Sequence, residues 1–193
     1  MNLVLLVHPT RETWPEVRKQ ILPFKPIALV HHGGDTDSLW REGRIGIVKD
    51  ELRRFHDDGL LAGCSSHLPE VIRHVSEQDW EIDFYMTCFF QISMGPDEWN
   101  HRYGFTPMHE MYTEEMPLQM CRVIQQIETP CLGFKILAAG RSPDRENGVE
   151  EAFRFAFDNI KPNDAVIVGM FPHLSDEVAE NANLAIRFGS QPE

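Results

Sequence analysis

Six times this chain runs a short, largely aliphatic segment into a small, polar or reactive residue, and each time a helical pattern follows. The runs are Leu3–Val7 into His8, Ile27–Val30 into His31-His32-Gly33-Gly34, and Leu60–Ala62 into Gly63-Cys64-Ser65-Ser66-His67. Three more are Ile82–Met86 into Thr87-Cys88, Leu132–Phe134 into Lys135, and Ala165–Val168 into Gly169-Met170. Apolar runs of this length alternating with amphipathic helices define repeated β/α units, whose parallel strands send their C-terminal ends to one face. The rhythm therefore locates the chemistry before it names it. Functional side chains belong where the runs stop.

Read in order, the spacing predicts a strand at 3–7 and a helix near 13–22, then a strand at 27–31. A glycine-rich turn, Gly33-Gly34-Asp35-Thr36-Asp37, leads to a helix at 44–57 with Ile47, Val48, Leu52 and Phe55 on one face. Strand 60–64 precedes a helix that starts at Pro69 and carries Val71, Ile72 and Val75; strand 82–89 follows. From Ser93 to Glu115 the pattern is irregular, yet Trp99, Tyr103, Phe105, Met108, Met111 and Tyr112 make it too aromatic for a disordered segment. It reads as a loop covering a pocket, with a dimer contact or a compact surface loop as the alternatives. A helix at 117–127, strand 131–137, helix 149–160, strand 165–170 and helix 175–187 complete the chain.

At 193 residues and 42% hydrophobic content, the chain supports one core and reads as a single domain over 1–193. Six units are two short of a closed (β/α)8 barrel. Two architectures remain: an open doubly wound sheet, or an incomplete (β/α)8 barrel of six parallel strands and outer helices. The second is the fold expected here.

Eighteen Lys and Arg against 30 Asp and Glu give a formal charge of −12, which repels phosphate backbones and anionic lipid. Neither nucleic acid nor a membrane is an expected partner; a small-molecule substrate is. No apolar run approaches a membrane-spanning length, and Leu3–Val7 is too short for a secretory signal, so a cytoplasmic location is expected. Cys64, Cys88, Cys121 and Cys131 form no C-x-x-C pair, which argues against a zinc knuckle or a redox dithiol.

The segment Gly63-Cys64-Ser65-Ser66-His67-Leu68-Pro69-Glu70 resembles the fifth strand and following helix start of bacterial aldo-keto reductases, which read as glycine, a small residue, serine, then Thr/Asn-His and Pro-Glu. Ile27–Val30 into His31 resembles that family's fourth strand, which ends in the active-site histidine. Phe134-Lys135-Ile136-Leu137-Ala138-Ala139-Gly140 is similar to its seventh strand, and Asp164–Gly169 with Glu180-Asn181 to its eighth strand and the helix after it. The likeness spans about 27 to 187 in the family's order and would make these units three to eight of the barrel. It implies an oxidoreductase binding NADP(H) or NAD(H) at Ser65, Ser66, Lys135, Gly140, Gly169, Glu180 and Asn181, with His31 facing the substrate.

The departures are equally specific. The family's catalytic tyrosine and aspartate lie on a second unit that has no counterpart in this chain. His8 stands where the catalytic lysine ends the third strand, Met86 where a glutamine meets the nicotinamide, and Phe89 or Phe90 where a tyrosine stacks. Glu177 falls where an arginine often marks preference for the 2′-phosphate. A catalytically degenerate descendant is therefore part of the same expectation.

Taken as residues alone, His8, His31, His32 and His67 at strand ends, with Asp35, Asp37 and Cys64 beside them, suit acid–base catalysis near neutral pH. We assign His31, His8 and His32 as the candidate catalytic residues. The same imidazoles suit a divalent metal, giving a metal-dependent hydrolase or lyase as the competing reading, although the His-x-His spacing of many metal barrels is missing and no metal ligand is assigned. Lys135, followed by Gly140-Arg141 and Gly169, occupies the phosphate-binding quarter of such barrels. Ser65-Ser66 suit a carboxamide, with no nucleophile elbow around them. A non-catalytic binding barrel is the third reading. Two open strand edges predict a homo-oligomer, or a truncated product without reductase activity.

Overall fold

The computed structural model describes residues 2–9, 13–141 and 147–189. Six strands form one parallel sheet in chain order: β1 (Val4–Val7), β2 (Ala28–His31), β3 (Leu61–Ser66), β4 (Phe84–Cys88), β5 (Cys131–Phe134) and β6 (Ala165–Ile167). The helices are α1 (Trp14–Ile21), α2 (Gly33–Arg41), α3 (Gly46–Asp57), α4 (Pro69–Ser76), α5 (Pro96–Tyr103), α6 (Glu115–Ile124), α7 (Gly148–Asn159) and α8 (Glu177–Gly189). This is an α/β fold of the expected kind, an incomplete (β/α)8 barrel in which six parallel strands curl as a half-barrel.

Helices cover one face of the sheet, while the curl buries the middle of the other face and leaves Val4, Leu6, Leu61 and Ile167 exposed. Leu29, Ala62, Cys64, Tyr85 and Cys131 pack with the helices in the main core, together with Val48, Leu52 and Phe55 of α3 and Val71 and Ile72 of α4. The opposite, inner face carries a smaller cluster of Ala28, Val30, Phe84 and Met86, joined by Leu132 and Phe134. Gly63 sits within this inner layer, where an added Cβ would lie 2.5 Å from the Phe84 ring, so the ring takes the space a side chain would need. β2 and β4 are buried along their whole length, whereas Val4 and Leu6 of β1 and Ile167 of β6 stay exposed.

β5 and β6 stop at Phe134 and Ile167, short of the expected 137 and 170, and two further segments differ in kind from the sequence reading. The glycine-rich stretch 33–37 is the first half of α2 rather than a turn. His32, in extended conformation, accepts at Nδ1 from the Gly34 N–H at 3.1 Å and caps the helix, while Thr36 and Asp37 are buried. Burial and capping override the poor helix propensity of Gly-Gly-Asp-Thr-Asp-Ser. The segment from Ser93 to Glu115 contains α5, which begins at Pro96 after Gly95 and stops at a left-handed Gly104. Trp99, 4% exposed, fastens it to the core.

Candidate active site

Strand alternation separates the two adjacent histidines. His31 shares the helix-facing side of β2 with Leu29 and is fully buried, its Nε2 2.7 Å from Glu51 Oε2 of α3 and its Nδ1 2.8 Å from Thr36 Oγ1 of α2. Both ring nitrogens are engaged behind the sheet. The expectation that His31 faces substrate is thereby corrected: the period of two turns its neighbour to the mouth instead.

His32 leaves the end of β2 on the other side, and its ring stacks on His8 with centroids 4.0 Å apart and planes inclined by 29°. His8, mostly exposed at the end of β1, has its Nδ1 2.8 Å from Asp35 Oδ2 of α2. A carboxylate only accepts, so Nδ1 of His8 carries the proton of this bond. Burial, and then the neighbouring His8, holds His32 below its ordinary value of 6.5, which keeps its ring neutral at physiological pH.

A second cluster lies at the end of β3. The Asp37 carboxylate, fully buried, accepts from Ser66 Oγ, Ser93 Oγ, the His67 N–H at 3.3 Å and His67 Nδ1 at 2.7 Å. The carboxylate fixes the proton of His67 on Nδ1 and leaves Nε2 as the nitrogen that takes or gives a proton. The His67 ring meets Phe134 of β5 edge-on, with centroids 5.8 Å apart. At Gly33 an added Cβ would lie 3.0 Å from Ser65 Oγ and 3.2 Å from His67 Cε1, so glycine is what lets α2 begin against these side chains. Ser65 therefore stands beside His67, whereas Ser66 turns away to Asp37; only one of the two serines expected at a cofactor amide is placed near the mouth. Cys64 is no nucleophile: burial pushes its thiol up to about 12.

Lys135, Gly140, Gly169, Glu180 and Asn181 line one cavity of about 640 Å³, with Phe134 in its wall. The chain is left-handed at three non-glycine residues of this connection, Lys135 (φ 59°), Ala138 (φ 51°) and Ala139 (φ 51°). Glu177 also lines the cavity, and its Oε2 accepts from the Phe171 N–H at 2.6 Å. Of the positions where the family pattern is broken, Met86 lies on the inner face and Phe89 packs over Gly133 on the helix side. Phe90 belongs to a separate cavity of about 400 Å³ with Tyr112 and Arg141, whose guanidinium carbon is 4.0 Å from the Tyr112 ring centroid. Of the aromatic residues in the 93–115 segment, Tyr112 reaches this second cavity, with Thr113 and Glu114 beside it.

The pairing of His67 with Asp37, and of His8 with both His32 and Asp35, was beyond the sequence reading. Each joins residues on different elements, and no local spacing reports them. What the sequence did carry was position: the histidines stand at or just past strand ends, and Asp35 and Asp37 follow on α2.

No family model matches the chain, and no curated protein matches it. A solved structure of thiamine phosphate pyrophosphorylase from Bacteroides thetaiotaomicron aligns with 98% of this chain and 94% of its own, at 12% identity and a TM-score of 0.30. At that score the likeness carries no argument about chemistry. Fold and site together define a class, a β/α half-barrel with an imidazole-rich mouth; among the described residues, no helix is long and apolar enough to cross a membrane.

Proposed function

We propose that this chain is an enzyme of small molecules, an aldo-keto-reductase-like oxidoreductase or a descendant of one, that binds a nicotinamide dinucleotide beside β5 and β6. One observation carries the reading: Lys135, Gly140, Gly169, Glu180 and Asn181, scattered along the sequence, line a single cavity whose wall, Phe134, adjoins the His67 ring. Its volume falls in the range of cofactor and ligand pockets. The left-handed backbone at Lys135, Ala138 and Ala139 supports it, since such conformations gather where a binding loop is held in a set shape.

Lys135 would meet the pyrophosphate. Glu177 and Glu180 suit ribose hydroxyls as acceptors and repel a 2′-phosphate, so NAD(H) fits this cavity better than NADP(H). Hydride addition to a carbonyl needs a proton at the oxygen, and the family's tyrosine has no counterpart here. His67, backed by Asp37, is the group suited to supply it. The same reading sets the chain in the reducing cytoplasm, where four buried free thiols persist, and has further copies pairing along the open strand edges.

Titration with NADH and NADPH, followed by nicotinamide fluorescence and by calorimetry, tests the proposal. NADH is expected to bind more tightly than NADPH. Lys135→Ala is expected to weaken binding by about 1.5–3 kcal/mol, the range for hydrogen bonds to charged groups. If neither dinucleotide binds, the oxidoreductase reading falls.

A further inference from the structure

We propose that His8, His32 and Asp35 form a binding site for one divalent cation of the zinc type at the barrel mouth. One nitrogen or oxygen from each residue lies within 4.8 Å of the others, close enough for a single ion to meet all three. The three residues come from the end of β1, the end of β2 and the first turn of α2, so the strand pairing that builds the sheet also builds the site.

Packing does not account for the arrangement. The His8 side chain is 65% exposed, and two imidazoles stacked at 4.0 Å gain little from one another in water. A cation explains why they face one carboxylate. His8 Nδ1 already faces Asp35 Oδ2 at 2.8 Å, and an ion bound by both takes the place of the proton they share. Asp35, in the first turn of α2, supplies the negative charge that offsets the positive end of the helix.

The donor set selects the ion. Two imidazole nitrogens and one carboxylate suit Zn²⁺ and its neighbours Co²⁺ and Fe²⁺, whereas Mg²⁺ and Ca²⁺ take oxygen ligands. Thiolate-seeking ions find nothing, since all four cysteines are buried elsewhere as free thiols. Three protein ligands leave a coordination position open, as in catalytic zinc sites. An ion there would polarise a substrate oxygen while His67 moved the proton. The site stands on its own geometry, whether or not a dinucleotide binds beside β5 and β6.

One hydrogen bond reports on ligation directly. The Gly34 N–H donates to His32 Nδ1. If Nδ1 binds the ion, its lone pair is taken; if Nε2 binds, Nδ1 must carry the proton. Either way the Gly34 bond is given up.

The experiment uses the full chain after treatment with a chelator, titrated with Zn²⁺ by calorimetry and with Co²⁺ by visible absorption and amide NMR. One equivalent is expected to bind, with Co²⁺ bands of low coordination number and a displaced Gly34 amide signal. His8→Ala, at an exposed position, and Asp35→Ala, at a half-buried one, are expected to weaken binding at least about 100-fold, the upper end of what losing even an outer partner of a metal ligand costs. His101→Ala, on α5, should leave it unchanged. Absence of binding overturns the proposal, as does binding that survives the double substitution of His8 and Asp35.

Discussion

A buried imidazole with both nitrogens bonded is felt through stability when it is removed. His31 is such a group, with Glu51 on one side and Thr36 on the other. Glu51→Ala strands His31 Nε2 in the core, and an unsatisfied buried polar group costs about 1–3 kcal/mol. For a chain of this size each kcal/mol lowers the melting midpoint by about 2–4 °C. Thermal denaturation of Glu51→Ala checks this, and an unchanged midpoint would show that the pair holds nothing together. The sequence placed His31 and His32 on opposite faces of a strand. The resemblance turned His31 to the mouth, and the residues alone gave nothing to correct it, because Leu29 and Val30 are equally apolar and both are buried. Nor could the sequence pair His67 with Asp37 across 30 residues, since that contact depends on where α2 lands.

Helix α2 is the element on which the mouth depends. In nine residues it presents Asp35 to His8 and Asp37 to Ser66, His67 and Ser93, so one rigid piece orients both imidazole clusters. Ser93 lies just before α5, which makes Asp37 the tie between the β3 end and the aromatic segment. Asp37→Ala removes an acceptor from four donors. Hydrogen bonds to a charged group are each worth about 1.5–3 kcal/mol, so amide exchange over 93–104 is expected to quicken at least tenfold, while β2 to β4 stay protected. Exchange that stays at its original rate in this segment would mean that α5 is held by Trp99 alone. The strands and most helices were legible because hydrophobic period and length report them. α5 was missed, because the aromatic residues of 93–115 read as a loop; its signals are Gly95-Pro96 at the start and Gly104 at the stop. α2 was missed as well, because its stability comes from a histidine cap and two buried polar residues rather than from propensity.

The whole molecule is a sheet with two bare sides. Among the described residues nothing pairs with the outer edge of β1 or of β6, and Val4 and Leu6 stay 40% and 45% exposed. An uncovered parallel edge with apolar side chains promotes association. Sedimentation is expected to show concentration-dependent oligomers, and Leu6→Lys to return them to single chains; a wild-type chain that stays monomeric across the concentration range refutes this. The strand order has another consequence, for how the chain acquires its shape. Among the described residues every strand pairs only with those next to it in the sequence, and no pairing joins the first strand to the last. A closed barrel must bring its first and last strands together across its full length, the most distant loop closure a domain can require. This half-barrel never meets that step. Each closure spans about one β/α unit, so contact order stays low for a parallel sheet, and folding can advance by accretion as successive units leave the ribosome.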